Sequence, residues 1–167
     1  MQPFRAAALL ITLLAAPAAA QPGCPVVGER RTYLNERFGI GMAYPAGFEL
    51  DPGSIPRSGD SARFWALDRR ATAVVTASRG GSARPLARLM EEAEQDVLQN
   101  ARGEITYRRM RDTWFVISGH MVGRIFYQRT MLLHGGGTAT LWIEFPRDMR
   151  PCLEDAVTTM SLSFRER

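Results

Sequence analysis

Few residues in this chain could do chemistry. A serine stands two places before a histidine (Ser118, His120), and the second of only two histidines opens the run His134-Gly135-Gly136-Gly137. Together they suggest a hydrolase, with a serine nucleophile, an imidazole base and a glycine-rich loop of oxyanion donors. Residues two apart on a strand point to the same side, so Ser118 and His120 could meet. A serine nucleophile also needs its base oriented by a third group. In α/β-hydrolases the HGGG-type loop precedes a G-x-S-x-G turn, and the histidine comes last. Here the HGGG run lies near the C-terminus and no G-x-S-x-G occurs. Three glycines between alternating strands make a turn, where positive φ costs glycine little. His134 is then a polar residue at a hairpin end, and no catalytic residue is assigned.

Metal and cofactor chemistry find no better footing. The histidines have no H-x-x-x-H or C-x-x-C companion. His120 and His134 flank one expected hairpin, which leaves a surface site with Glu or Asp as the alternative. The stretch RGGSARP (79–85) lacks the lysine of a phosphate-binding loop. No metal-binding or cofactor-binding residue is assigned, and no cofactor is expected.

The two cysteines, Cys24 and Cys152, take their meaning from compartment. Residues 1–20 read MQPFRAAALLITLLAAPAAA. Arg5 forms a positive n-region, Ala6 to Ala15 a short apolar core, and Ala18-Ala19-Ala20 a small-residue cleavage site. This predicts a secretory signal peptide cut after Ala20 and a periplasmic or secreted mature chain. A lipid anchor on Cys24 is the alternative, although Gln21-Pro22-Gly23 lacks the small and aliphatic residues wanted there. An even cysteine count in an exported chain favours a Cys24–Cys152 disulfide, with two unpaired thiols as the alternative. Closing so long a loop stabilises by at most about 4–5 kcal/mol on the chain-entropy argument.

Removal of the signal peptide leaves about 147 residues, enough for one domain with a single core. No later stretch is apolar for long enough to form a transmembrane segment. Every basic side chain is arginine, and the formal net charge is +4, which loses one unit with Arg5. That surplus is too small to argue for nucleic acid as a partner. Arg108-Arg109-Met110-Arg111 is the one local basic cluster, and its plain reading is the solvated end of a strand.

The elements that must position these residues follow from periodicity. Ile40, Met42 and Tyr44 alternate as a strand that Pro45 ends. AGFELDPGSIPRSGDS (46–61) is a loop rich in Pro, Gly, Ser and Asp. Strands are predicted at 62–67 and 72–78, joined by a turn at DRRA (68–71). Leu86, Leu89, Met90, Ala93, Val97 and Leu98 share one side of a helix that Pro85 opens and Gly103 ends, and this side should lie on the sheet. A meander then follows at 104–110, 113–121, 124–133 and 138–145. A second helix over 149–160 precedes SLSF, with Leu162 and Phe164 turned inward. Trp65 and Trp142 either mark a binding face or, as preferred here, pack beneath that second helix. Grouped rather than strictly alternating elements predict an α+β fold with an antiparallel sheet flanked by two helices. The predicted organisation is signal peptide 1–20, N-terminal lead 21–29, one α+β domain 30–164 and a C-terminal tail 165–167.

The pattern Tyr33-x-Asn35-x-Arg37-Phe38-Gly39, then Tyr44-Pro45, then Gly59-Asp60 before a strand, resembles a group of small secreted bacterial proteins of uncharacterised role. WFVISG (114–119), IFYQR (125–129) and SLSF (161–164) extend the likeness over roughly residues 30 to 164. These proteins are similar to the PsbP-like superfamily. Ser61 and DRRA depart from the usual glycine and Asp-Gly at their positions. The resemblance implies an antiparallel sheet flanked by helices, used by known relatives to bind proteins without catalysis. The expectation is therefore a non-catalytic periplasmic domain, not an enzyme, that binds another envelope or periplasmic protein or supports an envelope assembly. A small-ligand or lipid-binding module is one alternative. An enzyme with an unrecognised site around Ser118, His120 and an acidic neighbour is another.

Overall fold

The computed structural model describes residues 28–66, 69–80 and 84–167. The predicted signal peptide, its cleavage site, Cys24, Asp68 of the DRRA turn and the middle of RGGSARP lie outside the described residues.

Among the described residues the chain runs β1 (Arg30–Asn35), β2 (Ile40–Pro45), β3 (Phe48–Asp51), β4 (Ser61–Ala66), β5 (Ala71–Ser78) and α1 (Leu86–Gln95). It continues through β6 (Glu104–Met110), β7 (Trp114–Met121), β8 (Arg124–Leu132), β9 (Thr138–Pro146), α2 (Arg150–Ser163) and β10 (Arg165–Glu166). Seven strands form one antiparallel sheet in the order β3-β4-β5-β9-β8-β7-β6, and β1-β2-β10 form a small second sheet. This is the α+β architecture that the grouped elements predict.

Alternation decides which residues each face of the large sheet presents. In β9, Ala139, Leu141, Ile143 and Phe145 are buried on one face beneath α2 and the small sheet. Tyr33 and Tyr44 of the small sheet press on Phe64 of β4, with ring centroids 5.3 and 4.9 Å away. Leu153, Ala156, Met160 and Phe164 add the inner side of α2 to the same core. Truncating Phe64 in such packing would cost about 3–5 kcal/mol. On the opposite face, α1 covers Phe115 and Ile117 of β7, Phe126 of β8 and Trp142 of β9.

Several local expectations are corrected. The expected loop 46–61 contains β3, because Phe48 is fully buried and Asp51 caps a short helical turn at Pro52–Ser54. Leu98 is 49% exposed although helical spacing put it inward. The helix widens to a π-type turn at Asp96–Asn100, which keeps Val97 in the core and carries Leu98 out of phase. Leu162 is 73% exposed, since α2 runs on to Ser163 and only Phe164 of that pair falls inward. Trp142 lies under α1 rather than α2, stacked on Phe126 at 5.2 Å. Within the expected C-terminal tail 165–167, Arg165 and Glu166 form β10, which pairs with Gly41 and Ile40 of β2. Gly103 does help to end the first helix. Its N–H bonds the Val97 carbonyl at 2.9 Å, while Arg102 takes the left-handed conformation at φ 49°. Among the described residues no helix is long and apolar enough to cross a membrane.

Candidate functional site

The two covers of the sheet are offset. On the side that α2 borders, the outer strands β6 and β7 and part of β8 are left without a lid among the described residues. Register arranges this half-face in rows, because residues paired across antiparallel strands share a side. One row is Arg109, Val116 and Arg129; the next is Tyr107, Ser118 and Tyr127; beyond these come Glu104, His120 and Ile125. A bulge between Ile105 and Tyr107 brings Tyr107 and Arg109 into phase with that side. Trp114 sits one step along β7 from Val116, diagonal to both arginines.

The first row is the unusual one. The Arg129 guanidinium lies 4.4 Å from the Trp114 ring centroid, and that of Arg109 lies 5.8 Å from the same ring. Val116 is 3% exposed although it belongs to neither main core cluster. Its register neighbours are the two arginines, whose aliphatic stems are of the kind that covers apolar surface. Arg129 makes no ion pair among the described residues, and its Nε is shut from water without an acceptor. Burial holds its pKa below the ordinary arginine value, while the Tyr127 hydroxyl pulls the other way. Tyr127 is shifted up, chiefly by burial, and its hydroxyl shares a 2.7 Å hydrogen bond with Ser161 of α2.

The basic cluster of the sequence splits across the strand. Arg108 turns to the α1 side and bonds Glu94 at 2.6 Å, whereas Arg109 joins Trp114 on the open side. The signal for this site lies in IFYQRTM (125–131), where Arg129 interrupts the inward series Ile125, Tyr127, Met131. Sequence reasoning missed it because the row needs the register of three strands.

Ser118 and His120 do share a side, and both line a groove of about 250 Å³ between β7, β8 and α2, with Arg150, Glu154 and Val157 on its far wall. The catalytic arrangement is not assembled there. His120 Nδ1, the atom a carboxylate would have to orient, is shut from water with no hydrogen-bond partner. His134 lies at the other end of β8, roughly 25–30 Å away by strand rise, so the two histidines do not flank one hairpin end. Its backbone N–H donates to both carboxylate oxygens of Glu166 at 2.9 and 3.1 Å, and its Nδ1 lies 2.5 Å from the nearer one. The glycines after it turn the chain, with φ of 81° at Gly136 and 97° at Gly137. A Cβ on Gly137 would strike the Ser78 carbonyl of β5. Among the described residues no three His, Cys, Asp or Glu side chains gather into a group that could hold a metal ion. Cys152 stands half-buried on α2, and its expected partner Cys24 is outside the described residues.

Trp65 lies at the opposite margin of the sheet. Arg63 and Arg69 stand over its ring at 5.3 and 5.5 Å, and its indole N–H donates to Asp51 at 3.3 Å. There the carboxylate holds the indole, and both arginines over it are exposed.

No protein-family model and no curated protein matches the chain. Among solved structures it is similar to cyanobacterial PsbP (CyanoP) from Synechocystis sp. PCC 6803. The TM-score is 0.63 at 17% identity, covering 93% of this chain and 99% of that one. It is also similar to the Saccharomyces cerevisiae Ran-binding protein Mog1p, with TM-score 0.61 and 10% identity over 83% of this chain and 95% of that one. The fold is PsbP-like, as the sequence resemblance implied.

Proposed function

We propose that the chain is a non-catalytic binding module, exported to the periplasm or beyond, that holds another envelope protein on the open half-face of β6, β7 and β8. The observation that carries this reading is the strip of Tyr107, Arg109, Trp114 and Arg129 at the margin of that face, with Tyr107 and Arg109 exposed and Trp114 and Arg129 half-buried. Arginine and large aromatic side chains are the types enriched in protein interfaces and their hot spots. The unoriented His120 argues against hydrolysis at the same place. A Ran-binding neighbour in fold gives precedent for protein binding by this architecture, as an analogy. The groove between the sheet and α2, at about 250 Å³, falls short of the roughly 300–1,000 Å³ of ordinary small-ligand sites, and the hollow of about 410 Å³ beside Trp65 is edged by Glu49, Asp51 and Arg69 rather than by an apolar lining. A lipid or small-ligand role is therefore the weaker reading. The proposal includes signal-peptide removal after Ala20 and a Cys24–Cys152 disulfide. The intact mass of the exported protein checks both, since it should lack residues 1–20 and two thiol hydrogens.

The test of function is site-directed photo-cross-linking in the native envelope, with the cross-linker at Tyr107 and a control at Leu34 on the small sheet. A discrete protein adduct from Tyr107 and none from Leu34 supports the reading. Equal adducts from both positions, or none from Tyr107 across growth conditions, would sink it.

A further inference from the structure

We infer that the partner presents an extended acidic segment whose carboxylates dock on Arg109 and Arg129 beside Trp114. The inference rests on the protein-binding reading above and adds the chemistry of the partner.

Arg124 and Arg129 are the only arginines among the described residues that are not exposed. Arg124 is ion-paired from within, one terminal nitrogen meeting the Glu144 carboxylate at 3.3 Å and the carbonyls of Arg70 and Glu144 at 3.0 and 3.3 Å, although its Nε, like that of Arg129, is shut from water without an acceptor. Arg129 has no such acceptor among the described residues. A half-buried guanidinium without a counter-charge is unfavourable, and an incoming carboxylate relieves it. Stacking on an indole occupies the flat face of a guanidinium and leaves the in-plane N–H donors free for a bidentate carboxylate. Arg109, across Val116, offers a second fork on the same ring.

The ring that the two forks share bounds their spacing. The two guanidinium carbons can be no further apart than the sum of their distances to the shared ring, 4.4 and 5.8 Å. Alternate side chains of an extended chain stand roughly 7 Å apart, within that bound. The next row along, Ser118 and Tyr127, lines the groove whose far wall is Arg150, Glu154 and Val157 of α2. A single chain segment fits beside such a step better than a flat lipid surface does.

The test uses the exported full chain and a fluorescein-labelled hexapeptide of alternating Glu and Ser, blocked at its C-terminus, followed by fluorescence anisotropy. Saturable binding is expected, with its Gln-for-Glu twin weaker by about tenfold or more and with binding lost at ~0.5 M salt. Arg129→Met and Arg109→Gln should each weaken binding about fivefold or more, while Arg150→Gln, whose side chain already faces Glu154, should not. Arg109 is exposed, so its variant reads the site even if Arg129→Met disturbs folding. Unchanged affinity in both variants, equal binding of the Gln twin or no binding at all would overturn the inference. So would tighter, arginine-dependent binding of inorganic phosphate or phosphatidylglycerol vesicles. A Tyr107 protein adduct that survives both arginine substitutions would overturn the acidic chemistry and leave the binding module standing. Peptide binding without any adduct would do the reverse.

Discussion

The two sides of strands β6, β7 and β8 are built from alternate residues of the same three segments, yet they settle their polar groups in opposite ways. Toward α1, Phe115, Ile117 and Phe126 are sealed, Arg108 meets Glu94 and Arg124 meets Glu144. Toward the open side, Val116 is buried outside both core clusters, and Arg109 and Arg129 share one indole without an ion pair to any carboxylate of the described residues. One side reads as structure that closes on itself. The other holds hydrogen-bond donors in place without acceptors, a state that favours recognition over internal support.

The largest expected effect comes from breaking both sides together. Gly119 pairs with Ile105 at the bulge, and a Cβ there would run into the backbone carbonyl of Glu104. Backbone cannot swing aside as a side chain can, so Gly119→Ala should force β6 off the sheet. We expect a loss of about 3 kcal/mol in urea unfolding. A loss below about 0.5 kcal/mol would mean that the edge strand is not held at this point.

Next in size is the contrast between the two arginines of β8. Arg124→Met removes the ion pair of the Glu144 carboxylate, which keeps only the Trp142 indole N–H, and the donor to two carbonyls, and should cost about 2 kcal/mol. Arg129→Met removes a half-buried charge with no partner and keeps an apolar stem over Val116 and Trp114. Its stability should stay within about 0.5 kcal/mol of the parent or rise slightly. Equal losses from the two substitutions would dissolve the distinction between the sides.

Much of the frame was legible because it rests on local alternation. Ala139, Leu141, Ile143 and Phe145 announce β9, and Leu86, Leu89, Met90 and Ala93 announce the buried side of α1. What escaped is what depends on distant partners. Strand β3 is four residues set among prolines and glycines, and it becomes a strand by pairing with β4. Leu98 obeys the helical period in sequence, but a π-type turn shifts that period in space. The shared side of Ser118 and His120 was readable from spacing of two, whereas the missing acid at His120 Nδ1 was not. The row Arg109, Val116, Arg129 joins residues up to twenty apart in sequence through register that no single segment encodes.

The smallest expected effect concerns a polar contact outside the open side, the clasp between His134 and Glu166. Burial raises the Glu166 carboxyl pKa, but hydrogen bonds from the His134 backbone and ring outweigh it and hold the group below the ordinary carboxylate value. A carboxyl that is more acidic in the folded than in the unfolded chain adds stability that is fully present above its unfolded pKa. As pH falls through the lowered folded pKa, the unfolded chain binds the proton more readily and that stability is lost. Glu166→Gln should therefore flatten part of the acid limb of a melting-temperature profile and leave the stability of β10 less dependent on pH. The effect is small because His134 is 93% exposed in its side chain and solvent screens the pair. Binding of the acidic hexapeptide should be unchanged in this variant, since Glu166 faces neither Arg109 nor Arg129. A loss of peptide binding in Glu166→Gln would show that the clasped terminus and the open side are coupled, and the two would have to be treated as one site.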